Sequence, residues 1–327
     1  MAKKTTHKKA IRVAVLGDLI ADIGMRLPHF PVKAKDIHRL SYMEVGPGGA
    51  CNVAIMAARF GLHVGALGEV GDDGFGVVVR EGLKREDVDV THLKVTPDAD
   101  TPVAGVVVDQ AGEPGYLGYP GSLVVREFDN TWNKPIQNLS ALFSDGWAEY
   151  TETPALILQG FEIARKNGVA TFFDPGPGNP DLDNSWHRDA IRDCSVVLMN
   201  RREAKRITGL DDDEAVVRWM QKLGAGLVLL KRGEEGLLAA QGDERAQARG
   251  LDVVVRDATG AGDAVAGAMI YGVLKKMPLK LLARLANATG AAKVQKIGTG
   301  HNMPTLKEIA AVLEANDYKP ADYLPKL

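Results

Sequence analysis

The chain has 327 residues, 45% of them apolar and 25% charged, with a formal net charge of −2. That length holds one large α/β domain with an insertion, or two smaller domains, and the near-neutral balance excludes a global basic field of the kind nucleic acid recruits. No apolar run approaches the roughly 20 residues that a membrane span needs. Cys51 and Cys194 stand alone without a CxxC pair, which argues against a zinc or redox site and fits a reducing compartment. The lysine-rich start, Lys3-Lys4 with His7-Lys8-Lys9, reads as a solvated tail and lacks the apolar core of a secretory signal. A soluble, cytoplasmic protein is the expectation.

Ile11 to Leu16 is a short β-rich run ended by Gly17-Asp18 and reads as the first strand. Met25 to Gly46, with mixed polarity and two prolines, reads as an excursion of short strands. Asn52 to Phe60 carries apolar residues at helical spacing and stops at Gly61. A strand follows at Val64 to Val70 and a helix at Gly76 to Lys84. Thr101 to Asp109 and Gly115 to Tyr119 flank the turn-like Gln110-Ala-Gly-Glu-Pro114, a hairpin pattern. From about Ala141 strands and helices alternate, with strands at Ala170–Phe173, Val196–Met199 and Leu227–Leu230. Alternation of this kind predicts a parallel sheet with helices on both faces. In such sheets ligands gather at the carboxyl ends of the strands, where the sequence places Asp18, Asp174, Asn200 and Gly233.

Asp257-Ala-Thr-Gly-Ala-Gly-Asp263 comes just before an apolar stretch, Ala264 to Leu274, that reads as a helix. Gly260, Ala261 and Gly262 then offer bare backbone N–H groups at a helix N-terminus, a ready anion site. Asp263 at its edge is placed to take a proton from an attacking hydroxyl, or else to cap the helix. Phosphoryl transfer, in which positioning and charge stabilisation carry the catalysis, suits this combination.

Two separated motifs, Gly46-Pro-Gly-Gly-Ala-Cys-Asn-Val-Ala54 and Asp257 to Asp263, resemble those of the ribokinase-like (PfkB) carbohydrate kinase family. Val70-Gly-Asp-Asp-Gly-Phe-Gly76 and Asn200-Arg-Arg-Glu203 lie between them in the family's order. The resemblance runs from about residue 11 to 305. It implies a three-layer α/β/α sandwich with a mainly parallel central sheet and a small β-sheet lid. The lid would come from about 25–45 and 101–121, with 1–10 and 306–327 as terminal extensions.

The implied activity is transfer of the ATP γ-phosphoryl group to a hydroxymethyl group of a sugar. Asp263 matches the general base, and Gly260, Ala261 and Gly262 the anion hole. Asp22 matches a sugar-hydroxyl ligand, with Asp18 beside it in the loop after the first strand. Gly48, Gly49 and Asn52 match the segment on which the backbone approaches the sugar, the Asn amide bonding a hydroxyl. Asn200 and Glu203 match the magnesium and phosphate neighbourhood, Glu203 acting on Mg2+ through water; taken alone the pair is close to a capping box. Lys231, Gly233 and Gly236 match the nucleotide strand-loop, Lys231 being either a phosphate contact or a solvated side chain. Asn287 matches a position near the adenine. Asp257 and the loop near Gly298 resemble a monovalent cation (K+) site, and Asp145, in Ser144-Asp-Gly-Trp147, a further substrate contact.

One departure narrows the substrate. Asp174-Pro-Gly-Pro-Gly-Asn179 is not followed by the Arg found in relatives that take acidic sugars, and a phosphosugar would need a lid-facing cation such as Lys33, Lys35, His38 or Arg39. A nucleoside kinase of the same fold is the alternative, with Phe30, Tyr42 or Tyr119 against the base. A regulatory protein on a kinase scaffold would have lost the base or the glycine loop, and both are intact. A dinucleotide-dependent oxidoreductase would carry GxGxxG after the first strand, and Gly17-Asp-Leu-Ile-Ala-Asp22 does not. The lid hairpin is apolar on both faces, Val103, Gly105 and Val107 against Ala104, Val106 and Val108, which points to substrate on one face and a homodimer partner on the other.

Overall fold

The structure is a computed structural model that describes residues 12–29, 31–122, 127–146, 154–177, 185–192 and 194–326. Phe30, Trp147, Gly178, Asn179 and the N-terminal tail lie outside the described residues.

Strand β1 (Val13–Leu16) is flanked in parallel by β4 (Val64–Gly71) and β8 (Ala141–Asp145). The large sheet continues through β9 (Ala170–Asp174), β10 (Val196–Asn200) and β11 (Leu227–Lys231), all parallel, and through β5 (Leu93–Thr96) at the other edge. Two antiparallel strands, β12 (Gly236–Gln241) and β13 (Glu244–Arg249), close it, giving the nine-stranded order β13-β12-β11-β10-β9-β8-β1-β4-β5.

Both faces are buried, because the period of two in each strand sends alternate apolar side chains to opposite sides. Val13 and Val15 pack with α1 (Ala50–Arg59), α2 (Gly74–Arg85), α8 (Ala261–Leu274), α9 (Leu279–Val294) and α10 (Leu306–Glu314). Ala14 and Leu16 pack on the other side with α3 (Asn133–Gln137), α4 (Pro154–Lys166), α5 (Trp186–Ile191), α6 (Arg201–Thr208) and α7 (Asp213–Lys222). The alternating pattern thus yields the α/β/α sandwich that the sequence predicts. Among the described residues no helix is long and apolar enough to cross a membrane, and both cysteines are buried free thiols.

A second sheet of four strands, β3-β2-β6-β7, stands off the body. It comprises β2 (Leu19–Arg26), β3 (Tyr42–Gly49), β6 (Val103–Val108) and β7 (Pro114–Tyr119). Its strands reach beyond the segments 25–45 expected from sequence, back to Leu19 and forward to Gly49, because Leu19 to Arg26 pairs with both β3 and β6. Asp22 therefore lies within a strand and not in a loop. The segment 306–327 is likewise no free extension: Ile309, Leu313, Tyr323 and Leu324 are buried in the core beneath α8 and α9.

Asp73 joins the two sheets. It caps α2 through the Gly76 N–H at 2.7 Å and accepts the Thr101 N–H and hydroxyl at 2.9 and 2.7 Å. The glycine-bearing loop Val70 to Gly76 is thereby tied to the entry of β6.

Candidate active site

Parallel strands end side by side at one edge of the sheet, and the register fixes which residues meet there. Asp145 pairs with Asp174 and Asn200 with Lys231. Lys231 is largely enclosed, its side chain 14% exposed, with its ammonium 2.5 Å from Asp174 and 3.9 Å from Glu203. Burial disfavours the Lys231 charge, but Asp174 and Glu203 outweigh it and hold the ammonium well above the usual lysine range. The solvated side chain entertained from sequence is not what forms. Burial pushes Glu203 upward, opposed by the Lys231 charge. Asn200 and Glu203 form a reciprocal capping box on α6, Asn200 Oδ1 accepting the Glu203 N–H at 2.9 Å and Glu203 accepting the Asn200 N–H at 2.6 Å. Cap and site are one arrangement here, since the cap fixes Glu203 beside Lys231.

Helix α8 starts at Ala261, three residues before the predicted Ala264, with Gly260 as its N-cap at φ 74°. Asp263 accordingly sits in the first turn and does not cap the helix. Ala261 spends its N–H on the Ala258 carbonyl at 3.2 Å. Among the described residues the N–H groups of Gly260, Gly262 and Asp263 have no protein acceptor, so the donors free to meet an anion are those three and not the contiguous run Gly260 to Gly262. A Cβ on Gly262 would stand 3.1 Å from the Lys231 ammonium. The bare residue leaves room for that charge beside the unpaired donors of the helix, where an anion is doubly favoured.

The Asp263 carboxylate accepts from Asn52 Nδ2 at 2.9 Å, and Asn52 Oδ1 accepts the Gly300 N–H at 2.8 Å. Asn52 is buried on α1. It is committed to Asp263 and to the Gly300 loop, where the sequence assigned its amide to a sugar hydroxyl. Burial raises Asp263 to about 6, the Asn52 bond working against it and Asp174 adding to it. Asp22 is raised further, to about 7, by burial and by the nearby Asp263 charge, against a 2.8 Å hydrogen bond from the Thr299 hydroxyl. A buried carboxylate, Asp22, and a partly exposed one, Asp263, both with elevated proton affinity, thus face one cleft, which is the setting a general base requires.

Glycines explain how the carboxylates fit. A Cβ on Gly48 would fall on the Asp22 carboxyl group, and one on Gly49, which has φ 56°, would stand 2.6 Å from the Asp18 carbonyl oxygen. Only a bare backbone at β3 lets Asp22 lie flat against it. Asp18 itself is buried at the end of β1, and its carbonyl accepts the Ala50 N–H at 3.1 Å to start α1. Gly236 has a different reason: a Cβ there would collide with the Ala248 carbonyl across β12 and β13. Gly233 follows β11, with φ 60° and open space where a Cβ would stand. Asn287 on α9 donates to the Arg249 carbonyl at 2.8 Å. Asp257 accepts the Thr259 N–H at 2.8 Å and the Gly298 N–H at 2.7 Å. Asp145 is buried at the end of β8, with a Cβ on Gly17 lying 3.5 Å from it.

The small sheet covers this cleft. Register places Asp22, Gly24, Glu44, Gly46, Val106 and Tyr116 on its inner face. The hairpin tip reaches the glycine loop, the Ala258 N–H donating to the Gly112 carbonyl at 2.9 Å. Sequence reasoning missed Thr299 and Tyr116. Of the aromatic candidates for a base, Tyr42 gives its hydroxyl to Glu44 and Tyr119 lies on the outer face. Tyr116 is the ring within electrostatic reach of Asp263 and Asp22.

Comparison with known proteins gives the family. The pfkB family of carbohydrate kinases matches residues 10–306. A ribokinase of Haemophilus influenzae is 25% identical over 92% of this chain and 98% of its own length. An ATP-dependent ribose-1-phosphate kinase of Halopiger xanaduensis is 28% identical over 93% of this chain and 98% of its own. The structure of Arabidopsis thaliana ribokinase complexed with ribose and ATP superposes with a TM-score of 0.79 at 21% identity, covering 94% of this chain and 99% of that one. The Asn52-held Asp263 carboxylate, a helix start with unpaired N–H groups and the buried Asp22 carboxylate thus lie under a small sheet in a fold shared with ribokinase, and the chain belongs to the pfkB family of carbohydrate kinases, as an ATP-dependent sugar phosphotransferase.

Proposed function

We propose that the acceptor is a neutral sugar and that Asp263 takes the proton of its hydroxymethyl group as the ATP γ-phosphoryl group arrives. The observation that carries this reading is the convergence of Asp263, Asp22 and the unpaired N–H groups of Gly260, Gly262 and Asp263 on one cleft. Asn52 aims the carboxylate, and the free donors with the Lys231 ammonium receive the charge that develops on the transferred group. The inner face of the small sheet excludes water, which would otherwise compete for the phosphoryl group.

Substrate charge follows from the lining. Asp22, Gly24, Glu44, Gly46, Gly298 and Thr299 surround the sugar side of the cleft, with two carboxylates and no Lys or Arg among them. A phosphate or carboxylate on the sugar would be repelled there, whereas vicinal hydroxyls donate to both acids. Lys33, Lys35 and Arg39 are exposed on the loop between β2 and β3, which supports a solvated role for them. Ribokinase is accordingly the better precedent among the relatives, and ribose-1-phosphate the poorer one.

Magnesium fits as a partner of the nucleotide. Among the described residues no cluster of three or more side chains makes a protein cage for a metal. Buried Glu203 beside Lys231 suits an ion held by phosphate oxygens and water, to which it would bond through that water. Such an ion would neutralise phosphate charge during transfer. A monovalent cation at Asp257 has weaker support, because both oxygens of that carboxylate already accept backbone N–H groups.

The outer face of the small sheet carries Met43, Val45, Leu117 and Tyr119, all exposed. Register lines up Val45, Ile23, Gly105 and Leu117 in one row opposite to Asp22. A second copy of this chain is the occupant that a self-complementary apolar sheet face favours.

The deciding experiment is a panel of pentoses, ketohexoses, their phosphates, deoxy-keto acids and nucleosides, scored by ADP release. Neutral sugars should give the highest kcat/KM. Preference for a phosphorylated or carboxylated sugar, or for a nucleoside, would overturn the assignment.

A further inference from the structure

Lys293 lies near the end of α9 with its side chain wholly buried. Nothing in the transfer step described above uses it. Its ammonium donates to the Lys296 carbonyl at 3.2 Å, its one hydrogen bond among the described residues. Its Cε stands 3.4 Å from where a Cβ on Gly260 would be. Gly260 is the N-cap of α8, so the cationic end lies directly behind the loop that presents the free N–H groups. Burial opposes its charge, Asp257 and Asp263 favour it and Lys296 works against it, which together lower the group to about 8 and leave it mostly protonated at neutral pH.

Packing alone gives no reason for a charge here. Lys293 already closes the helix end with its backbone, the Lys296 N–H reaching its carbonyl at 2.9 Å. An apolar side chain of the same length would fill the space without the cost of an ion removed from water. The loop, in contrast, has much to hold in place. Asp257 is buried and ionisable, Gly260 has a left-handed backbone, and Asp263 must face the cleft. A diffusible cation fits this spot poorly. The Asp257 oxygens and the Lys296 carbonyl are engaged, and a second positive charge beside the ammonium would be repelled.

We propose that the Lys293 ammonium is a built-in cation that positions the loop from Asp257 to Asp263, and that this chain turns over without an added monovalent cation. Lys293 is a positioning residue, acting through the loop and not on the substrate. The inference rests on reading that loop as the phosphoryl site.

The test compares wild type, K293M, K293R and D263N in choline buffer free of potassium, then with KCl or LiCl added. Wild-type kcat should be unchanged by either salt. K293M should lose about tenfold or more in kcat, the scale of one lost electrostatic contact at a developing charge. It should recover with KCl more than with LiCl, and its melting temperature should rise with KCl while that of wild type does not. Activation of the wild type by KCl, or a K293M enzyme at full kcat in choline, would overturn the proposal. So would potassium that raises the K293M melting temperature without restoring turnover. If K293M does not fold, a flat wild-type response with K293R retaining turnover supports the proposal, and a potassium-activated wild type overturns it. Full turnover by D263N would sink the site assignment and the proposal together.

Discussion

Asn52 donates to the Asp263 carboxylate across 2.9 Å and so joins α1 to the first turn of α8, 211 residues later in the chain. One bond both orients the carboxylate, the proposed base, and holds its proton affinity below what burial alone would produce. D263N should lose about 10²–10⁴ in kcat, the usual span for a general base, with ATP binding retained in calorimetry. N52A should lose less, but its pH profile is diagnostic. Without the donor the Asp263 carboxylate is harder to ionise, so the acid limb of kcat should move to higher pH. An unmoved limb would count against Asn52 as the partner of the base.

The wild-type profile has a defined shape on the acid side. Asp263 must be ionised to accept a proton and is raised to about 6. Turnover should therefore fall as pH drops through about 6, a window reached before most surface carboxylates protonate. A profile flat down to pH values near the ordinary aspartate range would argue that another group takes the proton.

Asp22 links the site to stability. Its folded value of about 7 lies above the ordinary 3.8. Between these values the folded chain keeps a proton that the unfolded chain has released. Stability is therefore lost as pH rises through this window, at most roughly 1.4 kcal/mol per pH unit, and the loss is complete above about 7. D22N removes that penalty. Its melting temperature should exceed that of wild type more at about pH 8 than at about pH 5, with sugar turnover lost at both.

Gly48 is a steric test of the sugar site. An added methyl in G48A would meet the Asp22 carboxyl group. Displacement of Asp22 by about an ångström should cost on the order of 10²-fold in kcat/KM for the sugar. The KM for ATP should be little changed, since Lys231 and the start of α8 are untouched. Equal loss for both substrates would show that the body, not the sugar site, had moved.

Lys231 neutralises two buried acids. K231M removes the ammonium that Asp174 and Glu203 share and should destabilise the fold by about 3–5 kcal/mol. K231M with D174N should recover part of that loss in thermal melts while remaining weak in ATP binding. Recovery of both properties would show that Lys231 serves the fold and not the nucleotide.

The outer sheet face predicts an assembly. Leu117 is 65% exposed at the edge-strand end of the apolar row. L117E should convert a dimeric mass in light scattering to a monomeric one without altering the melting of the body. A wild-type mass equal to one chain would remove the proposal.

Periodicity revealed most of the body, because its strands and helices are strongly apolar at spacings of two and near four. Strands β12 and β13 escaped because their inward residues are largely alanine, as with Ala246 and Ala248, which carry little β signal. The boundary of the small sheet was misjudged at Leu19 for a different reason. Gly17-Asp18 marks the end of β1, but β2 starts immediately after it, at Leu19, with a Leu-Ile-Ala-Asp spelling that has no period of two to signal a new strand.

Motif residues were legible because bare backbone and a fixed acid leave the same local spelling wherever they occur: Gly48-Gly49, Gly260 to Gly262, Asp263. Their partners were not. Thr299 reaches Asp22 over 277 residues, Lys231 reaches Asp174 over 57, and Lys293 packs behind Gly260 from another helix. The sequence by itself determined the layered fold and the residue types that can do phosphoryl chemistry, since both follow from local patterns of size, polarity and backbone freedom. Proton affinities, the direction of the base and the cation behind the loop were decided only by tertiary structure. Electrostatic energy depends on distance and on exclusion of water, and neither is written along a chain.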